Sequence, residues 1–207
     1  DSIAYNTDTQ DSSVIGNAYM EDEKYALSSD SITYTGIDKN ATIVGNYKVK
    51  SLNDGTLFSG RDAKYNQGTG EFLSEGAVTL QGKDYIAKGE NLTYNTNSGF
   101  GKLASSIEIE NPKDGIKISG DKFSFQNGEY IEIAENVHLE GEDIIADSQR
   151  AKYNLKDENI YLPEKIEFKT KDGKTSGNVS KGVYYTKTSK FVGDNFNGKS
   201  ETNTLTS

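Results

Sequence analysis

The sequence predicts an all-β protein of antiparallel hairpins, each stacked on the last. Three observations predict it. The composition favours strands, an aromatic residue returns every thirty residues, and apolar and polar residues alternate by two around each aromatic.

The chain has 207 residues, of which 33% are hydrophobic, with 13 tyrosines, 21 glycines and 2 prolines. Mean hydropathy is −0.73. Such a chain suits an elongated stack with a thin core. The tyrosines and β-branched residues serve strands, and glycine serves turns and bulges. Frequent aromatics in regular alternation argue against disorder. The net charge of −9 argues against nucleic acid as a partner. With no cysteine, a disulfide framework, a thiolate metal site and a cysteine nucleophile are all excluded. No apolar run approaches the roughly 20 residues of a membrane helix. The start at Asp1 is read as the point from which a targeting segment or anchor has been removed.

The repeat is clearest in "GRDAKYNQGTGEFLSEGAVTLQG", residues 60–82. Tyr5, Tyr34, Tyr65, Tyr94, Phe125, Tyr153 and Tyr185 fall at intervals of 29, 31, 29, 31, 28 and 32. A fixed period of this size marks a repeat architecture. Two residues before each aromatic stands an apolar residue: Ile3, Ile32, Ala63, Leu92, Phe123, Ala151 and Val183. Alternation by two places both columns on one face. Five residues before the aromatic stand Ser29, Gly60, Gly89, Gly120, Ser148 and Ser180. Small residues there predict a bulge, a sharp twist or close backbone approach.

The second strand of each unit is read in "NYKVK", "GAVTL", "SSIEI", "ENVHL" and "EKIEF", each with two apolar residues two apart. "LNDGT", "NPKDG" and "KTKDGKT" supply hairpin turns. Seven units of two strands predict about fourteen strands. The repeat is taken as one domain over 1–196, followed by a polar, disordered tail over 197–207.

Chemistry is sparse. His138, the only histidine, sits in an outward slot of "NVHLEG". Glu21/Asp22/Glu23 and Glu140/Glu142/Asp143 lack EF-hand spacing and read as solvated charge. No glycine-rich phosphate loop precedes a helix, and the Asn40, Asn91 and Asn178 sequons are ordinary chance matches. The residues therefore predict no enzyme, no metal and no cofactor.

The units "DAKYNQGTGEFLSEGAVTL" and "NLTYNTNSGFG" resemble the OstA-like repeat of the lipopolysaccharide-export periplasmic proteins, the LptA/LptC family. The resemblance runs from about residue 25 to 196 and is strongest over 57–110 and 145–168. It implies an open antiparallel β-jellyroll: a twisted, V-shaped two-sheet stack built from about seven 30-residue two-strand repeats. It implies a non-enzymatic periplasmic protein that shields lipopolysaccharide acyl chains in an apolar groove between the inner and outer membranes. Implied partners are lipopolysaccharide and other export components, joined by edge-strand pairing, and a head-to-tail homo-oligomer. An LptC-type chain would also carry an inner-membrane anchor. On this reading Ile86, Leu92, Tyr94, Phe123, Phe125, Val137 and Leu139 are the lipid contacts. The alternative is a surface adhesin or structural β-solenoid that binds through its polar outer face.

Overall fold

A computed structural model describes residues 2–200, apart from the side chain of Ser106. Its strands are β1 (Ser2–Tyr5), β2 (Ser12–Glu21), β3 (Tyr25–Thr35), β4 (Asn40–Ser51), β5 (Leu57–Asn66) and β6 (Glu71–Gln81). They continue as β7 (Ile86–Asn95), β8 (Phe100–Asn111), β9 (Ile116–Gln126), β10 (Tyr130–Glu140) and β11 (Ile144–Asn154). Shorter strands follow: β12 (Asn159–Leu162), β13 (Ile166–Thr170), β14 (Thr175–Val179), β15 (Lys181–Tyr185), β16 (Lys190–Asp194) and β17 (Asn197–Ser200). A single 3-10 turn, Thr186–Thr188, accompanies them, and no described helix is long and apolar enough to cross a membrane.

The fold is all-β and antiparallel, as the alternation predicts. Seventeen strands replace the expected fourteen for a local reason. The pairs β12/β13, β14/β15 and β16/β17 are each one crossing broken in its middle. In the first break Pro163 removes a ladder donor. Asn197–Ser200, expected to open a polar tail, instead form β17 and pair with Thr175–Asn178. The remainder of that expected tail, 201–207, lies outside the described residues.

Two compact units divide the chain, 1–105 and 106–207. In the first, each long strand bends at one level. Ladder register shifts between Ile15 and Ala18 of β2, between Ser29 and Ser31 of β3, between Ile43 and Asn46 of β4, and between Ser74 and Ala77 of β6. The even strand carries one residue more than its partner across the bend. Thus Ile43 and Tyr47 of β4 lie opposite Ala63 and Gly60 of β5. Positive φ accompanies the bend at Gly45 (86°), Asp62 (54°), Gly76 (78°) and Asn91 (54°). These residue types tolerate that conformation best.

Neighbouring side chains lock the bend. Asp62 Oδ1 accepts from the Gly45 amide at 2.7 Å, and Asn91 Oδ1 accepts from the Gly76 amide at 2.9 Å. The small column is explained at Gly60, where a Cβ would lie 2.7 Å from the Tyr47 hydroxyl oxygen. An aromatic laid over a paired glycine is a familiar device for pinning a strand.

The bend folds each crossing into two half-strands, and the halves face each other. Three ring contacts cross the gap in the first unit: Tyr47–Phe72 at 5.4 Å, Phe58–Tyr94 at 4.8 Å and Tyr25–Tyr94 at 6.2 Å. In the second unit the split is explicit in the pairing. The first half of β11 pairs with β13, and its second half pairs with β12. From there β13–β14–β17 and β12–β15–β16 run as separate ladders. Bulged strands that change sheets are how two-layer β folds turn corners. The core of each unit lies between its layers.

In the last repeat the inward aromatic is Tyr184, fully buried, and not the aligned Tyr185, which is 42% exposed. Tyr184 stands opposite Ile160 in the ladder, and cross-strand partners share a face.

Candidate functional site

Inner rows in the first unit can be followed strand by strand. In one layer, Ile3, Val14, Ile32, Ile43, Ala63, Ser74 and Leu92 stand opposite one another in succession. In the facing layer the row is Met20, Leu27, Val49, Phe58, Leu80 and Ala87. Exposure falls along both. It drops from 80% at Ile3 to 6% at Ile32 and 2% at Leu92, and from 40% at Met20 to zero at Ala87. The aromatic row behaves alike, from 63% at Tyr5 to 2% at Tyr94. The interlayer space is thus sealed at the β7 end and open at the β1–β2 end.

A cavity of about 460 Å³ occupies that open end. One layer contributes Val14, Ile32, Tyr34, Ala41, Tyr65 and Phe72 to its wall. The other contributes Met20, Tyr25, Leu27 and Val49. Tyr19, Glu21 and Asp22 also line it, and no lysine or arginine does. Its volume falls within the usual range for small-molecule sites, and its wall has the usual apolar make-up.

Polar groups sit at its rim. The Tyr19 hydroxyl bonds to the Glu21 carboxylate, and that bond pushes the exposed phenol's pKa up. Asp22 Oδ1 accepts from the amides of Lys24 and Tyr25, both at 2.7 Å, which fixes the turn into β3. Tyr25 crosses the interlayer gap. Its hydroxyl lies 2.7 Å from that of Tyr94 and 3.2 Å from the carbonyl oxygen of Thr96. Burial raises its pKa, so it carries its proton at neutral pH.

Six of the seven residues expected as lipid contacts belong to inner faces, and Ile86 does not: it stands opposite the exposed Gln81 and beside the inward Ala87, so alternation by two turns it to the outer face. None of the seven lines this cavity. Leu92, Tyr94, Phe123, Phe125, Val137 and Leu139 are buried, and Ile86 is half-buried. Tyr94 comes nearest, through its bond to the lining residue Tyr25. Alternation identified the six inward positions but misplaced Ile86, at the very start of β7, and could not show where the inside stays open. The signal that sequence reading missed is position in the array. The open wall comes from the first repeats, whose inner rows have fewer neighbours to cover them.

His138 is exposed, as expected of an outward slot, with its Nδ1 2.6 Å from Asp147 Oδ1. Among the described residues no group of three or more His, Cys, Asp or Glu side chains is placed to hold a metal ion.

No family model and no curated protein matches the chain. A solved structure similar to it is LptH, the LptA-homologous periplasmic component of the lipopolysaccharide transport device of Pseudomonas aeruginosa. That likeness has a TM-score of 0.47 and 13% identity, and covers 53% of this chain and 80% of LptH.

Proposed function

We propose that this chain is a non-enzymatic lipid carrier that takes acyl chains between its two layers through the β1–β2 end. The observation that carries this is the falling exposure along the facing inner rows, Ile3 to Leu92 and Met20 to Ala87, which ends in an open apolar cavity. Each methylene moved from water to such a wall gains about 0.8 kcal/mol, so a chain of about a dozen carbons gains up to ~10 kcal/mol without any chemical step. The OstA-like sequence repeats favour lipopolysaccharide in transit through the periplasm as the lipid, in a protein of LptA or LptC type. The edge at β1, with Ile3 and Tyr5 exposed, is where strand pairing with another export component or a second copy would occur.

The acidic lining fits a headgroup that stays outside the cavity. Leu92 and Tyr94 are the deeper contacts of this reading in the first unit, and a chain reaches them only when the layers part. Phe123, Phe125, Val137 and Leu139 are contacts of the second unit's own inner rows, and Ile86, on the outer face, is not a contact. The test is photo-crosslinking to lipopolysaccharide from a probe residue placed at Leu27, Leu92, Phe123 or the outward Lys64. Capture should be strongest at Leu27, weaker at Leu92 and Phe123, and lacking at Lys64. Equal capture at Leu27 and Lys64 ends the proposal in favour of binding through the outer face.

A further inference from the structure

The inner end of the cavity is marked by a hydrogen bond, not by packing alone. Tyr25 enters from one layer, and Tyr94 and Thr96 receive it from the other. Behind Tyr94 stands the Phe58 ring, at 4.8 Å, and then the sealed part of the row at Leu80 and Ala87. A tyrosine hydroxyl of the aromatic column also bonds across the layers in the second unit. The Asn111 side-chain amide donates to the Tyr153 hydroxyl at 3.0 Å, and the Glu142 amide donates to the Tyr184 hydroxyl at 3.2 Å. Nearer the open end the column behaves differently. Tyr34 donates to Gln67 Oε1 at 2.8 Å, on its own layer. The cavity lies beside the tyrosine that does not cross, and closure begins at the first one that does.

We infer that the Tyr25–Tyr94 clasp is the length-determining element of the site: it sets how long an acyl chain the cavity accepts before the layers must separate. This rests on the lipid-carrier reading above. A hydroxyl pair suits the task. Removing both hydroxyls leaves two rings of nearly unchanged shape, so the clasp can be released without emptying the wall. Each bond to Tyr25 contributes only modestly to stability, so the layers can be parted by a sufficiently long apolar chain.

The experiment is calorimetric titration of a neutral series, octyl to octadecyl maltoside, below micelle-forming concentrations. Proteins compared are the wild type, Tyr25→Phe, Tyr94→Phe, the double variant, and as control Tyr161→Phe, an exposed tyrosine outside the cavity wall. In the wild type, affinity should rise about fourfold per added methylene and then level off. In Tyr25→Phe and the double variant the levelling-off should move several methylenes further along the series. Tyr161→Phe should level off with the wild type. A double variant that melts cooperatively yet levels off with the wild type overturns the inference, and so does an equal shift in Tyr161→Phe. If the wild type binds no member of the series, the carrier reading itself has failed, which is a different result. Tyr25→Phe alone keeps the test open if Tyr94→Phe does not fold, because Tyr25 is only half-buried.

Discussion

Tyr5 and Tyr94 occupy the same slot of the same repeat, yet one is 63% exposed and the other 2%. Each follows an apolar residue by two and precedes an asparagine. The inward pattern itself, apolar residue, spacer, tyrosine and asparagine, is the same in both. The difference comes from neighbours: Tyr5 lies on the first strand, whereas Tyr94 has Phe58 and Tyr25 against it from the facing layer. Local sequence directs a side chain inward. How far the inside closes around it depends on the repeats to either side. The same inward motif can therefore serve as sealed core in one repeat and as open wall in another.

Core truncation should separate the two regions most strongly. Phe58→Ala should cost about 3–5 kcal/mol, whereas Tyr5→Ala should stay within about 0.5 kcal/mol, both read from urea unfolding. Similar losses at the two sites would show that the open end contributes as much packing as the sealed one.

The corner comes next. Gly45→Ala faces both a φ of 86° and a Cβ position 1.9 Å from the Asp30 carboxylate oxygen, so roughly 2 kcal/mol or more should be lost. Gly76→Ala, at a φ of 78° with open space around the new methyl, should lose only about 1 kcal/mol. Equal losses would mean that the bend is set by backbone conformation alone. Asn91→Ala removes the acceptor for the Gly76 amide and should cost about 1 kcal/mol in the same assay.

The smallest effect is on the alkaline side. Burial raises the pKa of Tyr25 and of Tyr47 above the ordinary value of 10.0. The folded state therefore holds these protons more tightly than the unfolded chain. The stability they contribute is complete below pH 10.0 and is lost as pH rises through the raised values. Melting temperature against pH should decline less steeply above that point in Tyr25→Phe. An unchanged slope would place the tyrosine linkage elsewhere.

Much of this architecture was legible in the residues. The apolar and aromatic columns form real ladder rows, the Gly55, Gly115 and Gly173 turns have positive φ, and the small column sits at the bends. Two things were not legible. Tyr184 and Tyr185 both satisfy an aromatic spacing, and only pairing with Ile160 decides between them. The cavity was hidden because alternation reports direction and not occupancy. Val14, Ile32 and Leu92 look alike in sequence, and the most regular repeats are also the best sealed. The expected contacts came from those regular middle repeats, and the open wall came from the first ones.

The extra residue that each even strand carries at its bend makes the fold sensitive to length in an unusual place. Losing Gly45 would leave β4 with no surplus to spend on the turn. Tyr47, Val49 and Ser51 would then swing to the solvent side, and Lys48 and Lys50 would point into oil. A deletion of one small residue would thus invert half a strand, whereas a whole thirty-residue unit can be gained or lost with every surviving side chain still facing its own way.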